Sequence, residues 1–216
     1  MVTVHIGARP DFGRILMVPA AAVMLMFDVV ALTHGSRTGH AAGLRWAGAA
    51  LVCAFYALII WCYLRRGRAI ATSGSVTGYV AAVTATLLPL TLPLLHGAPS
   101  GTVQLYAGYL LVLVGTSWSV WSVRFLGRSI SVIAQAREVV DRGPYRLVRH
   151  PLYASYLVTQ LGYLASNLSA WNSAAIAVGF AAQLVRIRSE ERLLSVDPAY
   201  LAYTTRTRWR LVPFVY

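Results

Sequence analysis

The chain is 216 residues long, 57% hydrophobic and only 12% charged, with a mean hydropathy of +0.60. Its nineteen basic residues are all arginine against seven acidic ones, a formal net charge of +12. That balance excludes a soluble globular protein. It also argues against a nucleic-acid binder, because the arginines sit in the joins between apolar runs and no basic helix stands free of them. The length suits a single membrane domain, residues 1–216, with N-terminal helices over 1–123 and a functional core over 124–216.

A bilayer core about 30 Å thick is crossed by about 20 apolar residues in helical form. Six apolar runs approach that length: Ile15–His34, Leu44–Leu64, Val76–Leu95, Val103–Val123, Pro151–Ser166 and Ala170–Val185. The first is longer than the ~7–15 residues of a signal-peptide core and reads as a membrane helix. It contains Asp28. An intramembrane carboxylate points to function by default, but a protonated or hydrogen-bonded side chain is the preferred reading here, because no partner is evident in the sequence.

The second run holds Cys53 and Cys62, nine residues apart and so on opposite helix faces; neither a disulfide nor a metal site is expected. Pro89 and Pro93 should kink the third run. The last two runs are separated only by Asn167-Leu168-Ser169, which predicts a tight helical hairpin, partly interfacial or tilted. With six crossings and a cytoplasmic N-terminus, seventeen arginines fall on the cytoplasmic side and only Arg37 and Arg45 opposite. The positive-inside rule then puts both termini in the cytoplasm of a multi-pass protein of the inner membrane. The fold class expected is an all-α, polytopic membrane bundle of about six helices with a cytoplasmic polar cap.

Five of the seven acidic residues lie in two segments, about 124–150 and 186–216, that share one side in this topology. In the first, Gly143-Pro144 signals a turn, and Pro151 suits the first position of a helix. Arg149 and His150 then sit at a helix N-terminus, which favours an anion such as a carboxylate or phosphate. In the second, Arg186 and Glu190 are four residues apart and share a helix face. Local ion pairing or interfacial anchoring explains each residue taken singly; together they could serve a zwitterion, arginine on its acid group and glutamate on its ammonium.

The string Gly143-x-Tyr145-Arg146-x-x-Arg149-His150-Pro151-x-Tyr153, followed by Glu190-Glu191-x-x-Leu194 and Tyr200-x-x-Tyr203, resembles the membrane-integral isoprenylcysteine carboxyl methyltransferase family, to which phospholipid N-methyltransferases are similar. The resemblance spans about residues 117–213 and includes Phe125-Leu126-Gly127-Arg128-Ser129. It implies a pocket for S-adenosyl-L-methionine enclosed by the last hairpin and the tail, with a lipid-like or prenylated substrate entering sideways from the bilayer. Carried over by motif, cofactor contacts come from Arg137, Glu138, Val139, Val140, Tyr145, Arg149, His150, Pro151, Leu152, Tyr153, Glu190 and Glu191. The resemblance also implies that Arg186 faces the substrate, so Arg186 and Glu190 are the expected catalytic pair. The chain departs from the pattern at Ser155, where many members have glycine, and at Val196-Asp197-Pro198.

A sulfonium is already an activated electrophile, so the protein's part would be placement and exclusion of water. Two other functions compete: an NADPH-dependent membrane ene-reductase of the steroid-reductase type, and a small transporter. The first lacks a reason for Arg149-His150-Pro151 with Glu190-Glu191. The second lacks paired broken helices at mid-membrane. No protein or nucleic-acid partner is expected.

Overall fold

The structure is a computed structural model that describes residues 4–5, 12–34, 42–66, 71–73, 75–94, 98–99, 101–131, 135–136 and 139–216. Seven α-helices dominate: α1 (Phe12–His34), α2 (Ala42–Arg65), α3 (Val76–Leu87), α4 (Thr102–Leu126), α5 (Pro151–Ser166), α6 (Ala170–Leu194) and α7 (Pro198–Arg206). Gly13–Val30 of α1, Ala42–Arg65 and Thr102–Leu126 are long and apolar enough to cross a membrane. The chain is therefore an all-helical membrane protein with three such helices among the described residues, where six crossings were expected. Short strand pairs that no sequence signal suggested tie the connections: Val4–His5 with Ala71–Ser73, that strand with Gln135–Ala136, and Ala98–Pro99 with Asn167–Leu168.

The helix boundaries follow local chemistry. Ser75, Ser169 and Asp197 cap α3, α6 and α7, accepting from the amides of Gly78, Asn172 and Ala199 at 3.2, 3.1 and 2.8 Å; such caps satisfy N–H groups the helix leaves orphaned. The third apolar run is no kinked continuous helix. α3 stops at Leu87 and Pro89–Leu94 continues as a 3-10 turn, because proline offers no N–H to a carbonyl one turn back.

The last two long helices also differ from expectation. Instead of packing on each other as a tight hairpin, α5 lies along α4 and α6 along α3. Small residues make the α4–α5 seam. A Cβ added to Gly162 would stand 2.7 Å from both the Gly108 carbonyl oxygen and the Val112 amide nitrogen, so the backbones touch where helices in lipid associate by close approach. The Ser119 and Ser155 hydroxyls share a 2.7 Å hydrogen bond in the same seam, and Ser155 Oγ lies 2.7 Å from the Leu152 carbonyl, onto which it donates. The family glycine is thus replaced by a serine with a polar partner in reach. Gly162→Ala forces the two helices apart and is expected to destabilise the protein by about 1–3 kcal/mol, read as a lower thermal midpoint in detergent; an unchanged midpoint would show that the seam is loose.

Candidate active site

The corner before α5 is built from backbone first. Gly143 has φ +58, a left-handed conformation, and a Cβ there would meet the Phe125 ring at 2.7 Å; only glycine fits such a turn. The 3-10 turn Gly143–Arg146 that follows exposes the Tyr145 carbonyl, which accepts from the buried Tyr203 hydroxyl at 2.7 Å. The amides of Arg149 and His150 donate to the carbonyls of Trp209 and Arg210, both at 2.8 Å. The tail therefore occupies the amides expected to hold an external anion at this helix start.

An internal anion serves the side chains instead. Glu191 Oε1 lies 2.7 Å from Arg149 Nη1 and 3.3 Å from His150 Nε2, and Glu191 Oε2 accepts from Arg210 Nε at 2.6 Å. Burial alone would raise the Glu191 pKa, but hydrogen bonds from His150 and Arg210, with the charge on Arg149, outweigh it and hold the carboxyl below its ordinary value. Arg149 Nη2 donates onward to the Arg208 carbonyl at 2.8 Å.

One residue earlier on α6, Glu190 makes a different set of contacts. Its Oε1 accepts from the Tyr153 hydroxyl at 2.5 Å and from Arg186 Nε at 3.0 Å, as the four-residue spacing predicts. Its Oε2 stands 3.9 Å from His150 Nδ1. Arg186 is only 4% exposed, and its other nitrogens reach the Ser131 carbonyl at 2.9 Å and Thr86 Oγ1 at 3.5 Å. Its guanidinium carbon lies 4.7 Å from the centre of the Tyr153 ring, which in turn stacks at 6° on His150. Each donor nitrogen of Arg186 is already engaged, so it orders the site from within.

Two cavities meet here. The smaller, about 130 Å³, is walled by Val139, Val140, Tyr145, Arg149, His150, Leu152, Tyr153 and Glu190 from the expected set. Pro151 is fully buried under the corner and Glu191 is engaged in its ion pairs; neither lines the cavity. Arg137 and Glu138 lie outside the described residues. Leu126, Ser129, Ser131, Leu194, Tyr200 and Tyr203 complete the wall without having been assigned a role. Tyr200 and Tyr203 stood in the quoted motif, so a signal for them existed; burial pushes both hydroxyls well above their ordinary pKa.

The larger cavity, about 600 Å³, is mostly apolar and runs among α1, α2, α4 and α5, with Ala85 and Thr86 of α3, the turn at Pro89 and Leu92, and Arg186 of α6 closing it. Each helix gives it one stripe: Met17, Ala21, Met24 and Asp28 from α1, Val52, Phe55 and Ile59 from α2, and Leu152, Tyr156, Thr159 and Tyr163 from α5. These are spacings of three, four and seven, the signature of a single helix face. Ser131, Leu152 and Tyr153 belong to both cavities; Arg186 faces the apolar one and Glu190 the polar one.

Residues 103–196 match the family model of phospholipid methyltransferases. This stretch is similar to the membrane methyltransferases of that family. It takes in all but the first residue of α4 and the whole of α5 and α6, and with them Tyr145, His150, Tyr153, Arg186 and Glu190. The match stops short of α7 and the tail, which nevertheless supply Tyr200, Tyr203 and Arg210 to the site. No curated protein matches the chain.

Proposed function

We propose that the chain transfers the methyl group of S-adenosyl-L-methionine to a lipid-like amphiphile, the two ligands meeting across Tyr153 and the Arg186–Glu190 pair. The observation that carries this reading is the shared wall: a small cavity holding the charged and phenolic side chains and a large apolar one have Ser131, Leu152 and Tyr153 in common, with Glu190 on the first side and Arg186 on the second. The polar cavity suits an amino-acid-bearing cofactor. Arg149 and the Tyr200 hydroxyl stand together on its wall, and both can donate to a carboxylate.

S-adenosyl-L-methionine, when bound, supplies a methyl group on a sulfonium that needs no further activation. The chain's own residues place and shield. Glu190 holds the Tyr153 hydroxyl and Arg186 in one rigid cluster, and the apolar walls of Leu152 and Leu126 keep water out. Glu190 Oε2, committed to neither Tyr153 nor Arg186, is placed to take a proton from an amine acceptor; a carboxylate acceptor would need no such base. The arginine distribution supports a site on the cytoplasmic side with both termini there, and the shorter helices α3 and α5 with the long, more polar α6 would complete a six-crossing bundle in that arrangement.

Titrating the purified protein with S-adenosylhomocysteine and, separately, with NADPH tests this reading. Saturable binding of the first alone is the expected result, and binding of NADPH alone would overturn it in favour of a reductase. Glu190→Ala should weaken S-adenosylhomocysteine binding by about tenfold, since it removes a charged hydrogen-bond acceptor from the cavity wall. Equal affinity in both proteins removes Glu190 from the cofactor site.

A further inference from the structure

The apolar cavity is not apolar to its end. Along α5 it extends from Leu152 to Asn167, about 22 Å at the helical rise. One end is the Tyr153–Arg186 wall. The other gathers Asp28 from α1, Arg45 from α2, Tyr109 from α4, Gln160 from α5 and Asn167 just beyond it. Between them the lining is mostly hydrocarbon and aromatic, with the hydroxyls of Thr116, Ser119 and Thr159 among it.

Asp28 is the informative member. It stands on the same helix face as Met17, Ala21 and Met24, turned into the cavity, two residues before the end of the membrane-length span Gly13–Val30; an ionisable group so placed is a functional candidate. It makes no hydrogen bond or ion pair with any other described residue. A plain hydrocarbon tail reaching this end would bring the carboxylate no donor, whereas a buried polar group is stabilised by one.

We propose that Asp28 reads the remote end of the acceptor, which is a long-chain amphiphile carrying a second polar, hydrogen-donating group, a hydroxyl or an ammonium, at the end opposite the methylated one. This rests on the lipid-methylating reading above and narrows its substrate class from any lipid to one polar at both ends. The near group lies against Tyr153 and the Arg186–Glu190 pair. The chain follows the stripes of α1, α2 and α5, and the far donor meets Asp28.

The test is a binding measurement on the full chain in detergent micelles, with palmitate and hexadecylamine each compared with its ω-hydroxy and ω-amino counterpart. Because each comparison keeps the near group constant, the ratio of affinities isolates the far end. In the wild-type protein at least one ω-substituted probe is expected to bind about tenfold or more tightly than its plain parent, the scale of a hydrogen bond to a charged group. Asp28→Leu should bring that ratio to about one. Equal affinities of plain and ω-substituted probes in the wild-type protein overturn the proposal, whether or not the variant folds. So does a preference that survives Asp28→Leu. Failure of the wild-type protein to bind S-adenosylhomocysteine while the ω-preference holds would reject the methyltransferase reading and leave the Asp28 assignment standing.

Discussion

Arg186→Ala lowers methyl transfer by about a hundredfold or more, the scale of a displaced reacting group, while affinity for S-adenosylhomocysteine changes little. The guanidinium touches Glu190, Ser131 and Thr86 at once and lies over the Tyr153 ring, so its loss frees the wall between the two cavities. Glu190 keeps Tyr153 as a donor, which is why the cofactor side suffers less. Lysine should not restore activity, because an ammonium cannot present the planar fork that reaches three partners in three directions. Single-turnover rates beside equilibrium binding make the comparison, and a loss of cofactor affinity parallel to the loss of rate would show that Arg186 belongs to the cofactor cavity.

Glu191→Ala produces the second large effect, on stability. The carboxylate is the common partner of Arg149, His150 and Arg210, and its own side chain is only 12% exposed. Breaking a buried pair costs several kcal/mol. Arg210 is 37% exposed and water screens part of that loss, so about 2–3 kcal/mol is expected here, read as a drop in thermal midpoint with the cofactor absent. The pH dependence has a definite sign. A carboxyl whose pKa is lowered by folding stabilises the protein above its ordinary value of 4.5, and the contribution disappears as pH falls through the depressed folded value. The wild-type midpoint should therefore fall on acidification below that region while Glu191→Gln shows a flatter profile. Parallel profiles would mean the cluster contributes nothing through Glu191's charge.

Residue types at fixed spacing made much of the site legible before any coordinates. Arg186 and Glu190 pair because four residues is one helical turn, and Arg149-His150-Pro151 starts a helix because proline tolerates that position. α2 and α4 announce themselves by length and apolarity. Contacts between distant segments were not legible in the same way. Nothing local reveals that Trp209 and Arg210 offer carbonyls to Arg149 and His150, or that Glu191 answers the corner's charge while its neighbour Glu190 faces the cavity. The partner of α5 was misread for a related reason. A short connection to α6 suggested a packed hairpin, but Gly108, Gly115 and Ser119 on α4 meet Ser155, Thr159 and Gly162 on α5, and small residues at that spacing outweigh chain proximity. Asp28 read as a tolerated charge because the cavity it faces is assembled from four helices, and no single one of them records it.

α5 is wedged between two duties. One of its faces is locked backbone to backbone on α4, and the other borders both cavities. A plank fixed on one side and read by two ligands on the other has little freedom to change. The opposite wall, α1 and α2, lies before residue 103, where the methyltransferase match begins. Those two helices supply no residue to the smaller cavity, so changes in the first sixty-odd residues would reshape the apolar cavity first.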